Sequence, residues 1–360
     1  MILCNDRFKK DKGTINFNTK IKYTDFFSID KLNKGSYKQD NSKDSSFLKP
    51  IQQGMNHTFI YIDKAFLSQQ NYFIIKPINL YQGLGIKVTN SIDEIVKQAH
   101  VLFTGMEKVT SEMEEFKKTH PEHKFKKKIY KSSNILIQKY LDNPLLYYGR
   151  KFDIRCFVLV DHCLNVYMCR EGHLKACSES YSLDNNNQFC HITNYSLQKH
   201  SENFSKYEYA NEISYKQFIE CLNKSGKDET VFKQIINRMK ELIEISMNCV
   251  GNRLRTHKKS LSFQIFGYDF IIDQNYKPWI LEINYNPGLQ ISSKVIENIV
   301  PRMIDDAFRI TIDSIFETVY SDECVDKENN KYISPYHVEG YTDDENIFEF
   351  ICNIDKDPFN

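Results

Sequence analysis

The sequence predicts an α+β fold in which antiparallel strands form the sheets and helices flank them. The first observation is a hairpin, because residues 263–272 and 277–283 are rich in aromatic and β-branched side chains and a short polar turn joins them. A helical spacing of apolar residues over 229–250 is the second observation. The third is a set of further strand patterns, which cover residues 134–141, 151–160 and 165–177.

The composition is typical of a globular protein with a sizeable core. The chain has 360 residues, of which 41% are hydrophobic and 26% are charged. Its net charge of +1 gives no general signal for nucleic-acid binding. The ten cysteines lack a Cys-x-x-Cys pair, and no apolar run is long enough for a signal peptide or a membrane helix. We therefore expect reduced thiols and a cytoplasmic protein with no membrane contact.

The N-terminal residues 1–55 are polar and show no independent core. Apolar side chains alternate between residues 15 and 23, which predicts one strand. Residues 35–43 have the composition of a flexible loop. We expect a reduced, partly flexible N-terminal region over residues 1–70.

A strand, a glycine loop and a second strand follow the N-terminal region. Residues 72–76 and 86–89 are the strands, and Gly83 and Gly85 lie between them. Glycines let the backbone amides approach a phosphate, although a lone Gly-x-Gly is usually an ordinary turn. Residues 91–100 begin with a serine cap and two acids, which indicates a helix.

The densest basic segment of the chain is residues 117–131. Most such runs are solvated loops, but a patch of this kind also suits an acidic partner. Aromatic residues are sparse in it, so the segment does not predict a nucleic-acid stacking surface.

A row of charges occupies one face of the strand predicted at 151–160. Lys151, Asp153 and Arg155 alternate with Phe152 and Ile154, so the two sets point to opposite faces. An alternating charged strand is often a sheet edge in water. Because the row leads into a strongly apolar stretch, we favour a strand whose charges face a cleft.

No arrangement of a nucleophile, a histidine and an acid stands out, so nucleophilic hydrolysis has little support. His191 follows a polar loop and is interpreted as a hydrogen-bonded structural residue. Helices are predicted at 229–250 and 294–316, with Pro301 interrupting the second one or starting a new helix. Beyond residue 320 the chain becomes acidic. This segment is either a disordered tail or a segment that folds back on the basic run.

Oxygen-bearing side chains in the hairpin predict a magnesium site. Asp269 lies in the first strand, and Glu282 and Asn284 lie two residues apart on the second, so they share a face. Two carboxylates and an amide suit Mg²⁺, which binds few protein ligands and keeps positions open for phosphate oxygens. Polar residues on a wet face are the alternative, but apolar neighbours on both sides of each carboxylate weaken it.

Several motifs in the same order resemble the tubulin–tyrosine ligase family, a branch of the ATP-grasp ligases. The resemblance extends from about residue 57 to residue 316 and rests on IIKP with QGLGI, QKYLDNPLLYYGRKFDIR, YMCREGHLKACSESYS, CHITNYSLQKH, FGYDFIID and WILEINYNP. It implies an ATP-grasp fold, in which the nucleotide is held between two mainly antiparallel sheets flanked by helices. It also implies a central subdomain over 71–145 and a C-terminal subdomain with the Mg²⁺ site over 146–320. The acidic composition beyond these subdomains predicts a separate tail over 321–360.

The resemblance assigns roles to individual residues. Lys151, Arg155 and Glu282 are implied in catalysis, and Asp269, Glu282 and Asn284 in binding Mg²⁺. The residues implied in ATP binding are Lys76, Gly83, Gly85, Gln138, Lys139, Tyr140, Leu141, Lys151, Asp153, Thr193 and Asn194. Those implied in binding the incoming amino acid are Lys175, Tyr195 and Ser196.

The sequence departs from the family pattern at two positions. Gln82 stands before the glycine loop where the family has a basic residue. Lys175 stands where the family has an arginine that holds the carboxylate of the incoming amino acid. Lysine supplies the charge without the two-pronged geometry of a guanidinium. Segment 158–181 resembles the tyrosine-adding members, whereas Tyr195-Ser196 resembles the glutamate-adding members.

The resemblance implies an ATP- and Mg²⁺-dependent ligase that adds tyrosine or glutamate to a carboxylate of the acidic tubulin C-terminal tail through an acyl phosphate. The implied partners are tubulin and a free amino acid, with no nucleic acid and no membrane, and the expected state is a monomer in the cytoplasm on microtubules or the ciliary cytoskeleton. One alternative is a catalytically weak or inactive protein that binds ATP or the tubulin tail. The other is a ligase for a non-tubulin acidic protein.

Overall fold

The computed structural model divides the chain into two units, residues 1–142 and residues 143–360. The structure describes residues 2–5, 72–80, 83–107, 129–132, 134–184, 187–254, 261–316, 324–326 and 331–355. The strand and loop predicted in residues 1–70, most of the basic run and Gln82 lie outside these described residues.

The described part of the first unit is a four-stranded antiparallel sheet with one helix and a separate short strand pair. Strands in the order β1-β6-β2-β3 form the sheet, and β4 pairs with β5. The elements are β1 (Ile2–Asn5), β2 (Phe73–Pro77), β3 (Lys87–Thr89), α1 (Ile92–Thr104), β4 (Met106–Glu107), β5 (Ile129–Tyr130) and β6 (Asn134–Lys139). Ser91 caps α1 by accepting from the Glu94 amide, as its sequence predicts.

Apolar residues on alternate positions of β2 and β6 pack against α1. Phe73, Ile75, Ile135 and Ile137 are buried and form a cluster with Leu102 of the helix. Their neighbours along each strand are less buried, so the sheet has one face packed on the helix and one more open face.

The second unit is built on a larger antiparallel sheet, with strand order β10-β9-β8-β11-β12. A short strand, β7, pairs with β8, and β15 pairs with β9. The bounds are β7 (Leu146–Tyr147), β8 (Arg150–Val160), β9 (Asn165–Ser180), β10 (Glu212–Ser214), β11 (Gln264–Ile272), β12 (Pro278–Asn284) and β15 (Phe348–Asn353), with a separate pair β13 (Val325–Asp326) and β14 (Lys331–Tyr332).

Four α-helices and two short 3-10 turns accompany this sheet in the described part of the second unit. Ser214 and Gln217 form a reciprocal capping box at the start of α3, and Ser293 caps α5. The helices are α2 (Tyr195–Gln198), α3 (Tyr215–Lys224), α4 (Glu229–Leu254) and α5 (Lys294–Thr311), and the 3-10 turns are Gln188–Cys190 and Tyr209–Asn211.

The two faces of the large sheet carry different chemistry. One face packs on α3 and α4 through a continuous core that includes Phe152, Ile154, Phe218, Met239 and Phe270. On the other face, Phe157 and Leu159 of β8 pack under α5 with its Ile299 and Met303. The charged residues at the start of β8 lie beside that second cluster, on the same face as Phe157.

A bulge in the hairpin sets the direction of its polar side chains. Phe270 pairs with Ile280 and Asp269 pairs with Glu282, so Leu281 is one extra residue in β12. Ile280 packs with the core of the α3–α4 face, while Glu282 two residues later lies opposite Asp269. In an unbroken strand these two residues would point to the same face.

The segment predicted as an acidic tail contributes to the second unit. Residues of β15 extend the sheet beside β9. The fully buried Arg302 of α5 pairs with Asp306 and donates to the carbonyls of Tyr336, Thr342 and Glu345. This buried guanidinium satisfies carbonyls of residues 336–345, which lie outside the sheet.

Most strands and helices agree with the sequence predictions within a few residues. Helix 229–250 is confirmed and extends to Leu254. The interruption predicted at Pro301 is wrong, because α5 continues through it. Burial of Ile299, Val300 and Met303 on either side offsets the cost of about 3 kcal/mol for an interior proline. None of the helices in the described part is both long and apolar enough to span a membrane.

Candidate functional site

A line of charged side chains crosses four strands on one face of the large sheet. Arg155 on β8 lies opposite Asp269 on β11 and grips its carboxylate at two points, with Nε to Oδ1 at 2.7 Å and an Nη to Oδ2 at 2.8 Å. Such two-point geometry is the strongest form of arginine–carboxylate pairing. The pair fixes the centre of the site.

Lys175 on β9 joins two carboxylates in this line. Its Nζ lies 3.1 Å from Oδ1 of Asp153 and 3.0 Å from Oδ1 of Asp269. Asp153 is its cross-strand neighbour on β8. The ammonium therefore neutralises charge within the site, whereas the resemblance implies that this position holds the carboxylate of an amino acid.

Glu282 and Asn284 on β12 complete the line. The Asn284 amide nitrogen donates to Oδ2 of Asp269 at 3.1 Å and to Oε1 of Glu282 at 3.2 Å. The three side chains that the sequence predicts as magnesium ligands thus lie together. The bulge at Leu281 makes this possible, since it puts Glu282 opposite Asp269.

The ionisation of the carboxylates follows from their partners. Burial alone would raise the pKa of Asp269, but the charge of Lys175 and the hydrogen bonds from Arg155 outweigh it and hold the pKa well below its usual range. Partial removal from water and the charge of Asp269 raise the pKa of Glu282. Glu282 keeps solvent exposure and has Asn284 as its hydrogen-bond donor, so its carboxylate gains most from an added cation.

The oxygen atoms of Asp269, Glu282 and Asn284 fit Mg²⁺, which prefers carboxylate and amide oxygens. The Asn284 amide must turn over to present its oxygen, because its nitrogen now faces both carboxylates. Within the described residues, no group of three or more His, Cys, Asp or Glu side chains could hold a metal ion. The predicted magnesium site therefore depends on the amide as its third ligand.

His173 extends the charged line on β9, and sequence reasoning missed it. It is the cross-strand neighbour of Arg155 and is 4% exposed. Burial, followed by the charges of Lys175 and Arg155, lowers its pKa to about 3, so the ring is neutral at pH 7. Its spacing of two from Lys175 is the sequence signal that would have placed it on this face.

Gly267, also missed, makes room for the central ion pair. A Cβ at this position would lie 2.8 Å from the Cβ of Pro287 and 3.3 Å from the Cδ of Arg155. Gly267 is the cross-strand neighbour of Asn284, so the close approach of Pro287 and Arg155 occurs beside the predicted magnesium ligands. Only glycine fits there without moving one of them.

The remaining predicted residues of the second unit lie at the start of β8 and after the 3-10 turn Gln188–Cys190. Lys151 is buried, and its Nζ donates to the carbonyl of His191 at 2.7 Å. The Thr193 hydroxyl donates to Asp153. Asn194 precedes α2, where Tyr195 is 45% exposed and Ser196 follows it. Because β8 lies between β9 and β11, the edge-strand alternative for its charges is wrong.

The residues predicted to bind ATP in the first unit lie on or beside its small sheet. Lys76 and Gln138 are both on the less buried face, whereas Tyr140 is buried and its amide donates to the Tyr72 carbonyl. Lys139 lies over the Phe73 ring at 5.5 Å, and Leu141 is half-buried.

The predicted glycine loop is a tight turn. Gly83 and Gly85 have φ of 75° and 77°, and a Cβ on Gly85 would lie 2.7 Å from Leu102 Cδ2. Both glycines therefore have a conformational reason to be there. The ligand roles of all the predicted site residues remain predictions.

Comparison with known proteins identifies related sequences. A family model described as the tubulin-tyrosine ligase family matches residues 26–319. Tubulin glycylase 3B of Tetrahymena thermophila is 28% identical over 288 residues, which are 74% of this chain and 21% of that protein. The probable alpha-tubulin polyglutamylase Ttll1 of the same organism is 28% identical over 260 residues, 70% of this chain and 57% of that protein. Tubulin polyglutamylase TTLL7 of Xenopus tropicalis is 27% identical over 260 residues, 67% of this chain and 25% of that protein. The chain spans 21–29% of the length of the tubulin glycylases named among these relatives.

Proposed function

This chain belongs to the tubulin-tyrosine ligase family, and on that premise we propose that it is an ATP- and Mg²⁺-dependent ligase with an ATP-grasp fold. Its reaction is the attachment of a free amino acid to a carboxylate of an acidic protein tail, with tubulin as the acceptor. Relatives that carry the names tubulin glycylase and tubulin polyglutamylase support this class of reaction.

The observation that carries the proposal is the charged line across β9, β8, β11 and β12. It combines two cations, Arg155 and Lys175, with the carboxylates of Asp269 and Glu282 on one sheet face. The proposed reaction brings a carboxylate and a phosphate together, and two anions need fixed positive charge to approach each other. Removing charges from water costs free energy even when they are paired, and clusters of such charges concentrate at functional sites.

The proposed chemistry has two steps. An oxygen of the acceptor carboxylate attacks the γ-phosphorus of ATP, which gives an acyl phosphate and ADP. The amine of the free amino acid then attacks the acyl carbon, forms an amide bond and releases inorganic phosphate. Arg155 is the proposed contact to an anionic group, and Lys151 is the proposed contact of this unit to the nucleotide.

Asp269, Glu282 and Asn284 are the proposed ligands of Mg²⁺, which supplies positive charge against the phosphate oxygens when bound. Arg155 and Lys175 hold Asp269 ionised and fixed in place, so this ligand needs no deprotonation step at pH 7. Glu282 accepts fewer hydrogen bonds than Asp269, so it is the proposed ligand whose carboxylate is stabilised most by the cation.

The donor amino acid is the open part of the proposal. The sequence favours tyrosine or glutamate, whereas the relatives named above include glycylases as well as polyglutamylases. Tyr195 and Ser196 are the proposed contacts to the donor. In the structure Lys175 is engaged with Asp153 and Asp269, so it is a weaker candidate for this role than the resemblance implies.

The test is incorporation of labelled glycine, glutamate and tyrosine, each alone, into detyrosinated tubulin with Mg-ATP. Label from one amino acid supports the proposal and identifies the donor. A chain that binds ATP but transfers none of the three to tubulin or to another acidic protein contradicts it. The proposal places the activity of this chain, as a monomer, in the cytoplasm on microtubules or the ciliary cytoskeleton.

A second candidate function is a catalytically weak member that binds ATP or the acidic tail. The observation in its favour is that Asp269 already accepts four hydrogen bonds, from Arg155 twice, Lys175 and Asn284. A cation must compete with these donors. The variant Lys175→Arg distinguishes this candidate from the active ligase. If the unmodified chain transfers no detectable amino acid and the variant transfers a measurable amount, the result supports the weak member. Equal amino-acid transfer by the two proteins argues against it.

A further inference from the structure

Three lysines lie beside three aromatic side chains at one end of the large sheet, and Lys224 Nζ donates to the Tyr148 hydroxyl at 3.2 Å. Lys224 lies 5.7 Å from the Tyr148 ring centre, Lys227 lies 5.7 Å from that of Tyr276, and Lys277 lies 4.1 Å from that of Trp279. We call this group the lysine–aromatic patch, and it consists of Tyr148, Lys224, Lys227, Tyr276, Lys277 and Trp279. It is separate from the charged line described above.

The patch is one continuous surface because its turns are neighbours. The chain before β7 is bonded to the β11–β12 hairpin through the Leu145 amide to the Ile272 carbonyl at 2.8 Å and the Gln274 amide to the Asn143 carbonyl at 3.1 Å. Both tyrosines contact lysines of one short segment, residues 224–227, at the end of α3. Tyr148 is 55% exposed and Trp279 is 44% exposed.

Both tyrosines of the patch occupy backbone positions that favour smaller residues. Tyr148 and Gly149, with φ of 45° and 78°, are the two central residues of the β7–β8 hairpin turn, where Asn-Gly is preferred. Tyr276 has φ of 63° in the β11–β12 turn, at a position where glycine or asparagine is usual. A left-handed backbone costs a non-glycine residue roughly 1–2 kcal/mol. Tyr276 offsets this cost by packing against the core of the α3–α4 face, whereas the exposed Tyr148 ring is outside that core and indicates a use at the surface.

The three ammonium groups have no carboxylate partner within salt-bridge distance among the described residues. Glu220, one turn before Lys224 on α3, acts on Lys224 through its charge, whereas two other neighbouring acids are engaged elsewhere. Asp273 accepts from the Asn275 and Lys277 amides and from the Trp279 indole at 3.1 Å, and Asp228 accepts from the Thr230 amide at 3.0 Å. Lys227 and Lys277 are thus held over their rings and Lys224 at the Tyr148 hydroxyl, with the charge of all three available.

We propose that the lysine–aromatic patch binds an acidic polypeptide segment, and that this segment is part of the acceptor tail. The choice of acceptor rests on the proposed function. Three fixed ammonium groups on one surface complement successive carboxylates of an extended acidic chain. Single-stranded nucleic acid fits less well, because its bases need open aromatic faces and lysines lie over the Tyr276 and Trp279 rings.

The protein carries its own reporter of this surface. Trp279 is the single tryptophan of the chain, and Lys277 lies against its ring. A ligand that draws Lys277 away from the indole changes its emission. Titration of the full chain with an oligoglutamate peptide that lacks aromatic residues, without ATP or amino acid, therefore measures binding at the patch alone.

We expect a saturable change in Trp279 emission that weakens at high ionic strength. The variant Lys224→Gln/Lys227→Gln/Lys277→Gln is expected to bind the peptide about tenfold more weakly or worse. The matched control is Lys216→Gln/Lys233→Gln/Lys294→Gln, which removes three exposed charges elsewhere. It is expected to bind as the unmodified chain does.

Three outcomes overturn the proposal: no emission change with the peptide, an equal loss of binding in both triple variants, or a stronger response to oligothymidylate than to oligoglutamate. Because the titration needs no ATP or amino acid, it separates the two proposals. Peptide binding without amino-acid transfer supports binding at the patch and contradicts the ligase. Amino-acid transfer without an emission change supports the ligase and contradicts binding at the patch.

Discussion

Arg155 and Asp269 face each other on neighbouring strands and share two hydrogen bonds, at 2.7 Å and 2.8 Å. Asp269 is 2% exposed, so its charge has left water and depends on this partner and on Lys175. The pair therefore links the stability of the sheet to the chemistry of the site.

We expect Arg155→Leu to lower the free energy of unfolding by about 3 kcal/mol, because it removes one of two cations from a buried carboxylate. Arg155→Leu/Asp269→Leu should be less destabilised than Arg155→Leu alone, since no unpaired charge then remains at this position. Chemical denaturation followed through Trp279, which lies in the second unit, measures both. A double variant less stable than Arg155→Leu would contradict the prediction.

Glu282→Gln is expected to abolish amino-acid transfer while the fold stays intact. The amide keeps the size of the side chain but removes the charge that is proposed to bind Mg²⁺. By analogy with the loss of one transition-state contact, the cost is about 2.7–4 kcal/mol, a rate reduction of roughly 10²–10³. Transfer assays and thermal unfolding are the measurements, with the surface variant Glu297→Gln as control. Full activity of Glu282→Gln would remove Glu282 from the metal site.

His173 predicts an acid-sensitive fold. Its pKa is lowered from 6.5 to about 3, so between these values the unfolded chain binds a proton that the folded chain does not. The free energy of unfolding therefore falls as the pH drops from 6.5 towards 3, by about 1.6 kcal/mol between pH 6.5 and pH 5. Denaturation at several pH values should show a flatter profile for His173→Leu. His200→Gln, at an exposed position, should keep the original slope, and an unchanged slope in His173→Leu would refute the assignment.

Tyr148→Asn is expected to separate stability from binding. Asparagine suits the left-handed turn position, so the free energy of unfolding should rise by up to about 1 kcal/mol. The same change removes a ring of the lysine–aromatic patch, so oligoglutamate should bind more weakly. Tyr285→Asn is the control, because Tyr285 is 76% exposed and has no left-handed backbone. A Tyr148→Asn protein that is less stable would contradict the interpretation of the turn.

The spacing of apolar residues predicted the long helices and strands, because each of them buries one regular apolar face. The helix Glu229–Leu254 and the strands Arg150–Val160 and Gln264–Ile272 are of this kind. Helix α3 and strand β15 were not predicted. The burial of α3 and the pairing of β15 depend on β8 and β9, which are distant in sequence.

The candidate site was predictable where side chains follow strand alternation and unpredictable where the backbone departs from it. Asp153 and Arg155 share a face because β8 is regular there. The sheet face on which Glu282 lies depends on the extra residue Leu281 in β12. No pattern in a single sequence marks such a bulge. Lys175 is a similar case, since only the structure shows that two carboxylates occupy its ammonium group.

Strand β8 carries the candidate site on one face and the core on the other, and this limits how the protein can diverge. Replacing Lys151, Asp153 or Arg155 changes the chemistry of one face and leaves Phe152 and Ile154 in the core. Inserting or deleting a single residue within β8 exchanges the faces, which drives charges into the core and apolar groups into the site. New donor or acceptor preferences on this sheet are therefore accessible by point substitution, whereas changes of length must fall in the turns.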